Sequence, residues 1–175
     1  MRPAQGPAAA QRPLGLLVKI YPKLSETFIL EEILGLERLG QDVRLYALAP
    51  ATDAISHPAV ARVRAPLVVV PPLATRHAGP LALRHLRLLA GRPGRYVGAL
   101  AQALRRGRQG MADFARAGWL AAQLQDDGVT HLHSHFISLP ADIAELCSRM
   151  LGLPFSISAH ARTSTSASRR RWPAR

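Results

Sequence analysis

The sequence has one cysteine, few aromatic residues and no long apolar run. Cys147 has no second cysteine to pair with, so an internal disulfide and a cysteine-rich zinc cluster are both excluded. No segment reaches the roughly 18 apolar residues of a membrane-spanning helix, and the apolar run at 14–20 is too short for a signal peptide. We therefore expect a cytoplasmic chain whose stability comes from packing.

Acidic residues are also scarce, and this gives the chain a formal net charge of +12. Lys19 and Lys23 are the only lysines among its 23 basic residues, a bias typical of GC-rich coding sequence. Nucleic-acid modules usually interleave basic residues with aromatic ones, whereas aromatic residues here make up 5% and are scattered. The composition therefore makes nucleic acid an unlikely partner.

Length and hydrophobicity favour one ordinary folded domain. The chain has 175 residues, of which 48% are hydrophobic and 19% charged, so it can bury a core and is not disordered throughout. Residues 1–13 lack periodicity and are expected to form a disordered leader. The folded domain is expected to span residues 14–162.

The first part of that domain has the pattern of a β-α-β unit. Leu14–Ile20 is a short continuous apolar run, typical of a strand covered on both faces. Ser25 is a suitable N-cap for a helix that Gly40 would end, and residues 42–48 form the next apolar strand. Two strands joined by a helix run parallel.

The rest of the chain continues the alternation of strands and helices. Further strands are predicted at 67–70, 130–134 and 154–158, and helices at 81–90, 96–106, 111–125 and 140–151, with glycine-containing turns at 91–94 and 107–110. This order predicts an α/β fold, a doubly wound Rossmann-like parallel sheet. Ligands of such folds collect at the carboxyl ends of the strands.

The segment after the first strand is one candidate site. Ser25, Glu26, Thr27 and Phe28 lie where a helix begins, and free backbone amides there attract an anion or a sugar hydroxyl. The segment lacks G-x-G-x-x-G and G-K-[ST], so it predicts neither NAD nor ATP binding. A plain helix cap explains Ser25 and Glu26 equally well.

Histidines mark the ends of two later strands. His131, His133 and His135 alternate and so point to one side of the sheet, and His160 follows the next strand. A metal site would need a further ligand, and Asp142 is the only nearby carboxylate in the sequence. The alternatives are contact of His135 with a sugar or phosphate, with His160 in the same crevice, or purely structural histidines.

The segment from Arg76 to Arg108 holds eight arginines and no acidic residue. Its arginines lie among Leu and Ala at helical spacing, as in amphipathic helices that lie on anionic lipid. A solvated helix face explains the pattern too. The arginines that would face such a surface are Arg84, Arg87, Arg95, Arg105 and Arg106.

Four segments together resemble a known family. They are 21–33 with the motif P-x-x-S-E-T-F, 36–44, 131–136 with the motif H-x-H-F, and 151–160. These segments are similar to the amino-terminal domain of family-4 glycosyltransferases of the GT-B type, such as those that build bacterial exopolysaccharides like colanic acid. The resemblance covers about residues 14 to 162.

This resemblance implies a retaining enzyme that needs no metal or cofactor. Such enzymes have two Rossmann-like domains: the first mostly holds a glycan or lipid-linked acceptor, and the second holds a nucleotide-sugar donor. A peripheral location on the inner face of the membrane would suit a lipid-linked acceptor. The implied substrate-binding residues are Ser25, Glu26, Thr27, Phe28 and His133, and the implied catalytic residues, which would stabilise developing charge, are His135 and His160.

The end of the chain departs from the family pattern. Family members continue after the final histidine with Asp-Ile-Tyr, whereas this chain has Thr163-Ser164-Thr165, which the same bases encode when read one position later. We therefore expect residues 163–175 to be a frameshifted, disordered basic tail, and the chain to be an incomplete enzyme without its donor domain, inactive alone. The alternatives are a natural single-domain protein, a histidine-metal hydrolase, and a basic module that binds nucleic acid or membrane.

Overall fold

The computed structural model describes residues 12–53, 55–73 and 78–159. The expected tail, most of the expected leader and His160 lie outside the described residues. The strands are β1 (Leu14–Ile20), β2 (Val43–Ala49), β3 (Leu67–Val69), β4 (His131–His135) and β5 (Phe155–Ser158). The helices are α1 (Thr27–Arg38), α2 (Ala78–Gly91), α3 (Pro93–Arg105), α4 (Gly107–Asp126) and α5 (Leu139–Leu151), with a 3-10 helix at Pro58–Arg62.

The five strands form one parallel sheet in the order β3-β2-β1-β4-β5. In its register, Leu16 of β1 lies between Leu45 of β2 and His133 of β4. Helices cover both faces, so the expected α/β fold with a doubly wound, Rossmann-like sheet is confirmed.

The central strand β1 separates two apolar cores. Leu16 and Val18 are fully buried on the side of α1, in a cluster that includes Ile29 and Ile33. Leu17 points to the other face, where it joins the larger cluster built from α4 and α5. Because β1 is apolar on both faces, its run of buried residues is continuous, as the sequence predicted.

A second helical layer lies outside α4 and α5. Helices α2 and α3 pack on α4, and α3 also packs on α5. Cys147 on α5 is buried, and its thiol lies 3.4 Å from the carbonyl oxygen of Ala117 on α4. Burial raises the pKa of this thiol, which keeps it protonated.

The two expected glycine turns are shorter than predicted, and the helix breaks fall at Arg92 and Arg106. Helix α2 continues through Gly91 and α3 begins two residues later, while α4 begins at Gly107 rather than after Gly110. Gly110 is buried inside α4, where a Cβ atom would collide with the carbonyl oxygen of Ala103. Its role is close helix packing instead of helix termination.

Two predicted helix ends are confirmed. Gly40 after α1 and Gly152 after α5 both have positive φ, 81° and 70°, as expected for residues that end helices. Strand β4 extends one residue further than predicted, to His135. This extension places all three alternating histidines within the strand.

A ring cluster joins α2, α3 and α4. The His85 ring lies against Gly118 and contacts Tyr96 and Phe114, whose rings also contact each other. Its Nδ1 is 2.9 Å from the Tyr96 hydroxyl and its Nε2 is 3.3 Å from the carbonyl oxygen of Ala115. Burial lowers the pKa of His85, and the hydrogen bond to Ala115 only partly opposes this.

We expect Gly118→Ala to destabilise the protein by about 1–3 kcal/mol, because the new methyl group would overlap the His85 ring. The matched control is Gly98→Ala on α3, where nothing lies within 4 Å of the added Cβ. The control should be neutral or stabilising by up to about 1 kcal/mol, because alanine is the better helix former. Urea unfolding of both variants checks this, and equal stability of the two would contradict it.

His85 should also make stability depend on pH. Because its folded-state pKa lies below the ordinary 6.5, the folded protein binds fewer protons than the unfolded chain as pH falls below about 6.5. The contribution of His85 is thus present above that pH and is lost on acidification. His85→Gln should flatten the fall in unfolding free energy between about pH 7.5 and pH 5. Identical slopes for wild type and variant would contradict the assignment.

Candidate functional site

The polar side chains of β4 lie at the point where the strand order reverses. From β1 the chain proceeds outward through β2 and β3, and then returns to add β4 on the other side of β1. Helix α1 covers β1 on the same face to which His133 points, because His133 is in register with Leu16. In doubly wound sheets this reversal forms the crevice where ligands bind.

Three side chains converge in this crevice. The Nε2 atom of His133 lies 3.8 Å from Oε1 of Glu32, and Nε2 of His135 lies 3.5 Å from Oε2 of the same carboxylate. One ligand atom from each residue lies within 4.8 Å of the others. The expectation that Asp142 is the only nearby carboxylate is therefore wrong: Glu32 fills that position, while Asp142 accepts a hydrogen bond from Arg106 at 3.5 Å.

Serines of β5 connect the histidines. The Ser156 hydroxyl lies 2.8 Å from Nε2 of His131 and 2.7 Å from Nδ1 of His133. Since a hydroxyl has one proton, Ser156 can donate to only one of the two rings. The Ser158 hydroxyl lies 3.1 Å from Nε2 of His133. The hydrogen bonds of the two histidines are thus linked through Ser156.

Aromatic rings form one wall of the crevice. Phe28 at the start of α1 meets His135 and Phe136 edge-on, at centroid distances of 6.0 and 5.9 Å. Phe28 is 39% exposed, whereas His135 is fully buried. Phe136 has φ 69°, a conformation uncommon for residues other than glycine. This backbone strain lies directly after the histidine strand, where functional sites often store strain.

The predicted residues before Phe28 have a different environment. Ser25 does not cap α1: the cap position is Glu26, which makes no side-chain cap hydrogen bond. The reason is that the Glu26 carboxylate turns back to Nζ of Lys23, 3.1 Å away. Ser25 and Thr27 are exposed. Of the predicted site residues, the structure brings together Phe28, His133 and His135, and His160 lies outside the described residues.

Sequence reasoning missed Glu32 and the two serines. Glu32 lies one helical turn after Phe28, so the two share a face of α1. Ser156 and Ser158 alternate along β5 in the same way as the histidines along β4. These two spacings were present in the sequence. They indicate site residues only once α1 and β5 are known to lie beside β4.

The arginines named for a membrane surface fall into two groups. Arg84 lies 4.5 Å from the Trp119 ring and hydrogen-bonds to Gln123, and Arg106 pairs with Glu145 at 2.7 Å. These two arginines stabilise contacts between helices. The exposed ones are Arg87, Arg95 and Arg105.

Comparisons with known proteins leave the family open. No family model and no curated protein matches the chain. A solved structure, the carboxy-terminal domain of a hydrogenase from Pyrococcus furiosus, matches with 9% identity and a TM-score of 0.43, covering 89% of this chain and 98% of that one. Within the described residues, no helix combines the length and apolar character that crossing a membrane requires.

Proposed function

We propose that this chain forms the acceptor side of a sugar-transferring enzyme of the GT-B type, with the crevice between α1 and β4 as its sugar site. The transfer would use a nucleotide-sugar donor, held by a second domain, and a glycan or lipid-linked acceptor. The proposal accounts for the polar cluster at the strand-order reversal, where sheets of this class bind ligands.

One observation carries the proposal. The two motif segments that resemble family-4 glycosyltransferases are far apart in the sequence, yet Phe28 of the first contacts His135 and Phe136 of the second. The sequence resemblance does not depend on this contact. Convergence of both segments on one crevice is what a shared sugar site requires.

The chemistry of the crevice suits a sugar. An aromatic ring such as Phe28 can cover the apolar face of a pyranose, while imidazole and carboxylate groups hydrogen-bond to its hydroxyls. His133 is the more accessible histidine, with 17% side-chain exposure against 0% for His135. In the transfer step these groups would act by positioning the acceptor and by stabilising charge.

Binding of acceptor-type sugars tests the proposal. Saturation-transfer NMR on the full chain should show contact with bacterial exopolysaccharide oligosaccharides. Phe28→Leu keeps an apolar residue but removes the ring, and we expect it to weaken binding about 5-fold or more. Leu39→Ala, at a site 78% exposed after α1, is the control that should bind as wild type. Equal binding by wild type and Phe28→Leu would contradict the proposal.

We also propose that the outer surface of α2 and α3 binds anionic lipid. Leu83 and Leu86 on α2 are each 60% exposed, and Leu104 on α3 is 59% exposed. The exposed Arg87 and Arg105 lie on the same two helices. No acidic residue occurs between Asp53 and Asp113, so the segment carries no negative side chain. Apolar side chains beside uncompensated arginines match the chemistry of an anionic membrane surface.

Vesicle sedimentation checks this surface. The full chain should bind vesicles rich in anionic phospholipid. Binding should weaken at high salt, because salt screens the attraction between the arginine side chains and the lipid headgroups. The double variant Leu83→Glu/Leu86→Glu should lose most of the binding. Ile55→Glu, which also adds a charge at a position 72% exposed, should leave it unchanged. Equal binding to neutral and anionic vesicles would rule out a charge-dependent surface.

A further inference from the structure

We propose that Glu32, His133 and His135 bind a divalent transition-metal ion, with Zn²⁺ the best match. This site does not depend on the proposed sugar transfer, because it follows from the side-chain geometry alone. The resemblance to glycosyltransferases implies no metal, so the ion would be a property of this chain that its sequence likeness does not predict.

The distances already approach those of a metal site. Ligand atoms about 2.0–2.1 Å from a tetrahedral ion lie about 3.3 Å from one another. The two Glu32–histidine distances are 3.5 and 3.8 Å, and the three ligand atoms fall within 4.8 Å. Glu32 is the movable member, because its side chain is 38% exposed and lies on a helix surface. Bonding distances would require a rotation of the Glu32 side chain together with small shifts of the two histidine rings.

The two ring nitrogens of His133 have suitable surroundings. If Nδ1 donates its proton to Ser156 at 2.7 Å, then Nε2 carries a lone pair, which lies 3.1 Å from the Ser158 hydroxyl and 3.8 Å from Glu32, and a bound ion would replace Ser158 as its partner. Ser156 then donates its own proton to His131. Metal-binding histidines usually donate their second nitrogen to such a partner, which fixes the tautomer and the ring orientation. Ser156 is thus the positioning residue of the proposed site.

The donor set selects the class of metal. Two imidazole nitrogens and one carboxylate oxygen suit Zn²⁺ and its neighbours in the first transition row, whereas Mg²⁺ and Ca²⁺ prefer oxygen donors. Three protein ligands also leave one position of a tetrahedral ion for water or another small oxygen donor, as in catalytic zinc sites. The exposed part of Glu32 and the 17% exposed His133 provide an approach from solvent.

The test is metal binding by the full chain without a histidine tag. Equilibrium dialysis against Zn²⁺ should give one ion per chain, and Mg²⁺ should not compete. Co²⁺ in place of Zn²⁺ should give the visible absorption of a four- or five-coordinate ion with nitrogen ligands. Zn²⁺ should also raise the melting temperature, because a ligand that binds only the folded state stabilises it.

Variants identify the ligands. Glu32→Gln and His133→Gln should each weaken Zn²⁺ binding at least 10-fold, and Ser156→Ala should weaken it about 10–100-fold through the lost orientation of His133. His57→Gln removes a histidine from the loop before the 3-10 helix and should bind as wild type. Circular dichroism without metal shows whether each variant is folded. Because the Glu32 side chain is 38% exposed, Glu32→Gln is the variant expected to disturb the fold least.

Two results would overturn the proposal. The first is less than one tenth of an ion per folded wild-type chain at micromolar Zn²⁺. The second is wild-type affinity in both Glu32→Gln and His133→Gln, which would place any bound ion elsewhere on the chain.

Discussion

The burial of β1 on both faces is the constraint on which the rest of the structure depends. Leu16, Leu17 and Val18 are all fully buried, so helices must cover this strand from both sides while β2 and β4 pair with its two edges. Parallel pairing on both edges forces the chain to reverse direction across the sheet between β3 and β4. That reversal brings α1 beside the end of β4. The position of the crevice and of its polar side chains therefore follows from the need to bury β1 on both faces.

Much of the fold could be predicted because its signals are local. A continuous apolar run marks β1, and Gly40 and Gly152 mark helix ends because their backbone has positive φ. The sequence-based predictions were wrong at residue types that occur in two different structural roles, namely glycine and arginine. Gly110 looked like a helix breaker, but it is buried in α4 because Ala103 of α3 approaches too closely for a side chain. Arg84 and Arg106 looked like solvated charges, but each has a partner on a helix distant in sequence.

The histidines of the site could be predicted because their signal is local, whereas Glu32 could not. The alternation of His131, His133 and His135 in a strand fixes their common face before any tertiary structure is known. Glu32 offers only its spacing from Phe28 as a signal, since a glutamate on a helix surface is ordinary and its partners depend on how α1 crosses the sheet. Because the sequence did not place Glu32 beside the histidines, the predicted set of metal ligands was incomplete. The tertiary structure places the Glu32 carboxylate beside them.

Glu32, His133 and His135 lie together at the strand-order reversal, and we propose that they form one ligand-binding centre. Anomalous diffraction at the zinc absorption edge, from crystals of the full chain grown with Zn²⁺, tests it most directly. We expect one dominant anomalous peak from zinc. It should lie about 2.0–2.2 Å from a nitrogen of His133, a nitrogen of His135 and a carboxylate oxygen of Glu32. A dominant peak on other residues, or none in this crevice of a well-ordered crystal, would contradict it.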